Sequence, residues 1–572
     1  MKISRLVGVL VTGGLLLLLA ALLRPTENDT SAEERPVQGG QLVAAIQSEP
    51  QTFNPYVASD EVSVLVSRLT QASLVRVNPS TLEVEPWLAE SWESSPDGRS
   101  ITFHLRPGLA WSDGTAFSSA DVLFSVRAIY DPAMRSPLAT TLLIGGQPLQ
   151  ATAPDAATVV VSFAAPAGPG PRLLDLLPIL PKHALEASLA QGTFASAWTT
   201  NTPPRTVIGM GPFVLTEFQP GQQIALERNP RYWRGGGGGA LPYLDRLVLR
   251  LVPDHRSELA LLESGAIDLS SSAMRVEDYV PLRRLEEQGK VGLIELGVAP
   301  DADAFWFCLE PDAKRADPRF AFVQRQEFRQ AISHAVDREA FAETVFRGAA
   351  VPVWGPTTPG NTEWFSPNLP RYAPSDVRAR ELLKGIGLED RNGDGVVEDV
   401  KGVAARFTVI TERGVDSYER GTSTLRDELG RIGIVLDTTP VDAAEVRSRV
   451  PTCDYDAMYL RRPIMRLDPA MNLDFWLTSG QEHIWNRAQR APGTEWERQI
   501  DSLMLEQATT LDPERRRQQF NSAQRILAQN VPILYFAAPR MYYAHSPRVR
   551  GILPSVLPPY VLWNTDSLSV TN

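Results

Sequence analysis

From about residue 40 to the C-terminus, strand-like and helix-like segments alternate, with no internal repeat of 20–50 residues. That alternation constrains the fold more than any other feature, because it requires sheets covered by helices, an α/β class. Ile101, Phe103 and Leu105 alternate with Thr102, His104 and Arg106, and this period of two predicts a half-buried strand. Asp97-Gly98 and Asp113-Gly114 bracket it as turns. Ser118, with Asp121 three residues later, has the form of a capping box and predicts a helix through Tyr130. Phe328, Ala331, Ile332 and Ala335 recur at helical spacing and predict a second helix over about 325–336. At roughly 150 residues per domain, a chain of 572 residues has room for three or four folding units.

The N-terminus carries Lys2 and Arg5 ahead of an uncharged run from Leu6 to Leu23, closed by Arg24. A positive start followed by an apolar core reads as an export signal. The run is also just long enough to span a bilayer, and no small-x-small cleavage site follows it. It serves either as a cleaved signal or as an inner-membrane anchor over residues 6–23, with the anchor favoured. No cysteine follows, which excludes a lipid-anchored lipoprotein. Charge asymmetry places everything after Arg24 outside the cytoplasm. Residues 25–37 open the polar stretch PTENDTSAEERPVQGG and read as a flexible tether.

Lys plus Arg number 56 and Asp plus Glu number 67, a net charge of −11. That acidity argues against a nucleic-acid partner, which would need basic patches to displace counterions from phosphates. The two cysteines, Cys308 and Cys453, exclude a disulfide framework. They read first as two small buried side chains, with one bridge as the alternative. Four clustered ligands for a zinc site are absent from the sequence.

DRNGDGVVEDVK, from Asp390, has the outline of a calcium loop, with Asp390, Asn392 and Asp394 at positions 1, 3 and 5. Lys401 stands where the bidentate glutamate belongs, so the segment reads as an Asx and glycine turn. The run Gly235 to Gly239 lacks the Lys and Ser/Thr of a nucleotide loop and reads as a surface loop. Neither GxSxG, HExxH nor GxxxxGKS occurs. The six histidines stand apart from one another and read as structural. Most of the tryptophans read as core, with some left over to line a concave ligand site. These observations point away from an enzyme and toward a binding protein without cofactor or metal.

The stretch LAESWESSPDGRSITFHLRPGLAWSDGTAFSSADVLFSV, from Leu88, closely resembles the signature of the extracellular solute-binding proteins of family 5. Further matches follow in family order. FNPY begins at Phe53, GMGPFVLTEFQPGQQIALERNPRYW at Gly209 and LDRLVLRLVPDHRSELALLESGAIDL at Leu244. FRQAISHAVDREAF begins at Phe328, and RVRGILPSVLPPYVLWN ends at Asn564. The family includes dipeptide-, oligopeptide- and nickel-binding proteins. The resemblance implies the large, cluster C type of two-lobed periplasmic-binding-protein fold, with two hinge crossings near residues 295 and 539. Lobe I would span 38–295 and 540–572, and lobe II 296–539. It also implies a monomer that delivers its ligand to the permease subunits of an ABC importer.

In peptide-binding members an aspartate of lobe II, four residues before a proline, pairs with the ligand's α-amine. The matching segment here is YLRRPIMRLDPAMNLDFW, from Tyr459. With Pro469 as that proline, Met465 takes the aspartate's position and Arg462 that of a tryptophan three residues earlier. Asp468 remains beside the proline, and Asp60 is a second acid that could serve instead. Trp476 and Met465 would offer apolar contact. Arg461, Arg462 and Arg466 read equally well as a solvated loop. Two other functions fit the same segments: a membrane-tethered solute sensor or peptide chaperone, and, further off, a secreted hydrolase.

Overall fold

The computed structural model describes residues 37–235, 241–270, 273–311, 316–462, 468–487 and 489–571. The N-terminal apolar run, nearly all of the tether, four of the five consecutive glycines, Met465 and Arg466 lie outside them. Among the described residues no helix is long and apolar enough to cross a membrane.

Two lobes are built on separate sheets. In the first, the Gln41–Ile46 strand runs parallel to Arg246–Leu251, which continues antiparallel into Gln223–Arg228 and Phe213–Gln219. Leu42, Ala44 and Ile46 enter one core cluster while Val43 and Ala45 enter another, so this strand is covered on both faces. A second, all-antiparallel sheet orders Ala89–Ser94, Ser100–Leu105, Thr158–Ser162 and Gln150–Asp155. Here the expected alternation holds: Ile101, Phe103 and Leu105 are buried and the residues between them are half-buried. The helix after it spans Ser119–Ile129, and the Ser118 amide donates to Asp121 at 3.0 Å, as its capping box requires.

The second lobe carries a five-stranded mixed sheet, ordered Val435–Val441, Arg406–Glu412, Ala457–Arg461, Asp303–Phe307 and Ile533–Tyr535. Asp303–Phe307 is buried along its whole length. The expected helix is present as Gln326–Ala335, with Phe328, Ala331, Ile332 and Ala335 all inside. Cys308 and Cys453 are joined, with Cα atoms 5.9 Å apart, so the bridge and not the pair of separate thiols is what the chain forms. Both sulfurs lie in the core of this lobe, where the folding of the sheet brings residues 145 apart together.

The lobes are linked by two antiparallel strands, Gly292–Val298 and Ala537–His545, with Ala350–Pro352 added to the second. Val291 and Ala544 belong to the first lobe's cores, and Ala302 and Ala538 to the second's. The chain therefore changes lobe within each of these strands or just beside it.

One histidine of the first lobe is expected to couple its stability to pH. His255 opens the helix His255–Glu263, a place where the helix dipole disfavours a cation. Asp278 nevertheless takes its Nε2, and Glu258 lies 3.4 Å from its Nδ1. The hydrogen bond to Asp278, then that to Glu258, raises the imidazole to about 9. The unfolded value lies near 6.5, so the stabilisation is complete below that pH and is lost as pH rises through about 9. Two to three units correspond to roughly 3 kcal/mol at most. Urea midpoints are expected to fall between pH 7 and 9 in the wild type, and His255→Gln is expected to flatten that slope. An unchanged slope in the variant would remove His255 as its source.

Candidate functional site

The residues flagged by sequence do not gather at one place. Asp60 caps the helix Glu61–Thr70, accepting from the Ser63 amide at 2.8 Å. Arg462 pairs with Glu482. Trp476 has no exposed surface and packs edge-on against Phe475 and Phe520, with ring centroids 5.2 and 5.1 Å away. It is a core residue and offers a ligand no surface in this conformation. Asp468 is also sealed from solvent. It receives Arg516 at 2.6 and 2.9 Å and the Ala470 amide at 2.9 Å, with Arg172 at 3.8 Å. Those bonds occupy the carboxylate in this structure. Met465 lies outside the described residues.

The structure brings together a different set, and strand parity explains why. Asp303 and Arg461 are directly opposed in the antiparallel register of Asp303–Phe307 on Ala457–Arg461. The period of two places Tyr459 on the same face as Arg461. Asp303, fully buried, accepts from Arg461 Nε at 2.9 Å and Nη2 at 2.7 Å, and from the Tyr459 hydroxyl at 2.8 Å. The Arg461 amide donates to the Tyr418 hydroxyl at 3.2 Å. Burial alone would lower the Arg461 guanidinium, but Asp303 outweighs it and holds Arg461 above its ordinary value. Burial pushes the Tyr418 phenol up to about 12.

Tyr560, at φ +58°, lies near enough to Glu61, Arg461 and Asp301 for their charges to act on its phenol. Burial pushes the Tyr560 phenol up to about 12, and it feels Glu61 from its own lobe and Arg461 and Asp301 from the other. Glu61 is open to solvent yet hemmed in by protein, and that partial burial lifts its carboxyl above the usual range. Among the described residues it has no ion-pair partner. Tyr535, in the second lobe, is buried close enough to Asp301 to feel its charge, and among the described residues its hydroxyl has no hydrogen-bond partner. The group offers a carboxylate, a partly exposed guanidinium and phenols, chemistry suited to holding a polar solute. Sequence reasoning took up Asp60 and Arg462 as ligand contacts and did not weigh their neighbours Glu61 and Arg461 in that role. Parity along the strand was the signal that could have chosen Arg461.

The other flagged motif resolves locally. Asp390 accepts from the Gly393 and Gly395 amides at 2.7 and 2.9 Å, and Glu398 accepts from the Arg391 amide at 2.8 Å. This is the Asx and glycine turn, with Gly393 and Gly395 at φ +81° and +87°. Among the described residues, the group with metal-ligand spacing is Cys308, Glu310 and Cys453, whose two sulfurs are bonded to each other.

Comparison with known proteins agrees with this architecture. Over 559 residues, 93% of each chain, the sequence is 25% identical to a probable ABC transporter-binding protein of Deinococcus radiodurans. The oligopeptide-binding protein AppA of Bacillus subtilis, solved with a nonapeptide, superposes with a TM-score of 0.72 at 22% identity. That match covers 94% of this chain and all of AppA. The substrate-binding protein CtaP of Listeria monocytogenes superposes with a TM-score of 0.76 at 23% identity, covering 94% of this chain and all of CtaP. Residues 83–483, more than half of the sequence, match the middle region that defines the bacterial extracellular solute-binding proteins of family 5. The chain belongs to that family.

Proposed function

We propose that this protein captures a peptide or another small organic solute outside the cytoplasm, between its two lobes, and delivers it to the permease of an ABC importer. The observation that carries this reading is the family match over residues 83–483 on a two-lobed fold. Lobe I comprises 38–295 and 540–572, and lobe II 296–539, with the paired strands between them as the hinge. Closure about two crossings buries the ligand and reports occupancy to a partner. The Cys308–Cys453 bridge fits a chain that folds in an oxidising compartment. Residues 6–23 direct export and then hold the protein at the inner membrane. Native mass spectrometry of the purified protein tests the reading directly. A co-purified solute of defined mass, released on denaturation, supports it; a protein that binds nothing from a peptide, sugar and metal-chelate panel refutes it.

The ligand's chemistry follows from position 465. With methionine at the amine-anchor position, no carboxylate there meets an α-ammonium. Losing a charged hydrogen bond of that kind costs about 2–3 kcal/mol, on the order of a hundredfold in affinity. Calorimetry with a mixed tripeptide library is expected to show weak binding of free peptides and tighter binding of N-acetylated ones. Binding abolished by acetylation would move the amine to Glu61 and overturn the assignment, and Glu61→Gln would then reproduce that loss.

A further inference from the structure

The two lobes also meet through elements other than the connecting strands. The Gly168 amide donates to the Ala508 carbonyl at 2.9 Å, and Arg516 Nη1 donates back to the Gly168 carbonyl at 3.0 Å. A Cβ on Gly168 would lie 2.7 Å from the Ala508 carbonyl oxygen and 2.9 Å from those of Gln507 and Thr510. The nearest obstacles are all backbone of the other lobe, so the docking, and not the first lobe's own packing, requires glycine here. Four residues on, Arg172 holds the Leu82 carbonyl of its own lobe at 2.8 Å. It also reaches Glu363 at 2.9 Å and Asp468 at 3.8 Å in the other. Gly98 faces Leu511, and Met471 packs into the first lobe's core.

We propose that this joint is a reversible lock that holds the lobes closed through contacts other than the connecting strands. The inference rests on the two-lobed binding reading and adds the device that retains the closed state. Its charges are arranged so that it can part. When Arg172 withdraws, Asp468 keeps its bidentate partner Arg516 within the second lobe, so no buried charge is stranded. Arg172 and Glu363 are already 13% and 29% exposed and complete their solvation in water. The Gly168 amide and the Ala508 carbonyl exchange each other for water at little net cost. Asp468 is thus a positioning residue: it presents one carboxylate to arginines of both lobes.

The test is amide hydrogen exchange with small-angle scattering on the full chain, with no ligand added. The variants are Arg172→Ala and Gly168→Ala. Gly430→Ala, where a Cβ meets nothing within 4 Å, is the control. Peptides covering 164–172 and 505–516 are expected to exchange about tenfold faster or more in both variants. The radius of gyration is expected to increase. Protection of the Ser100–Leu105 and Asp303–Phe307 strands should stay at the wild-type level, and the control should match wild type. Wild-type protection and scattering in both variants would overturn the lock. So would loss of core protection in step with the joint, because the contact would then be a permanent seam. Native mass spectrometry separates the two claims: a solute-free protein whose joint opens loses the binding reading and keeps the lock. A solute-loaded protein with unaltered variants does the reverse.

Discussion

Replacing Asp303 by alanine is expected to cost the second lobe about 3–5 kcal/mol, the range for breaking one side of a buried ion pair. Asp303 has no exposed surface, and two groups depend on it: the Arg461 guanidinium and the Tyr459 hydroxyl. Removing the carboxylate leaves a cation without its counter-charge and a buried phenol without an acceptor. Unmade bonds of the second kind alone cost about 1–3 kcal/mol. Asp303→Asn keeps an acceptor for Tyr459 and loses only the charge, so its cost should fall below that of the alanine. The triple variant Asp303→Leu, Arg461→Met, Tyr459→Phe removes every group that needs the others, and apolar replacements of buried ion pairs are often neutral or stabilising. It is expected to recover most of the loss. Urea midpoints read by tryptophan fluorescence decide it. An alanine variant within 1 kcal/mol of wild type would show that water reaches this cluster and that the pair contributes little. If the triple variant folds yet no longer binds solute, the cluster belongs to the site as well as to the sheet.

The elements legible in the sequence are those with one buried face. Ile101, Phe103 and Leu105 announce a strand because water lies on their other side, and the periodic residues 328–335 announce a helix for the same reason. Strands covered on both faces lose that signature. QLVAAI at Gln41 and DAFWF at Asp303 are nearly continuous apolar runs, and their faces become distinguishable only once the layers are assembled. The candidate site is less legible still, because its members come from both lobes and lie hundreds of residues apart. A carboxylate also carries no mark of its partner. Asp468 beside Pro469 looked available from sequence, yet Arg516 and Arg172 claim it from 48 and almost 300 residues away. Trp476 looked like a ligand platform, and only the placement of Phe475 and Phe520 shows it inside. Glu61 escaped notice because its consequence, a carboxyl hemmed in by protein with no ion-pair partner among the described residues, exists only in three dimensions.

Reduction of the Cys308–Cys453 bridge is expected to lower the stability of the second lobe by several kcal/mol while leaving the first lobe unaffected. The bridge closes a loop of 145 residues, and chain entropy alone assigns it about 5 kcal/mol through the unfolded state. Two effects trim that figure. Cys453 sits at φ +54°, a conformation that costs a non-glycine residue about 1 kcal/mol and that reduction would release. The Cys308 amide also donates to the Asp456 carbonyl at 3.2 Å beside the paired residues Phe307 and Ala457, so strand pairing holds the two ends together without the sulfurs. The net expectation is about 2–4 kcal/mol, roughly 10 °C in the melting temperature of a lobe this size. The reduced protein should therefore stay folded at 25 °C and melt earlier. Hydrogen exchange separates the lobes: after reduction the Asp303–Phe307 strand should exchange faster, and the Gln41–Ile46 strand should not. Thiol titration of the unfolded, unreduced protein should find no free cysteine. Two free thiols, or a melting temperature indifferent to reductant, would show that the lobe stands on its apolar core without the bridge.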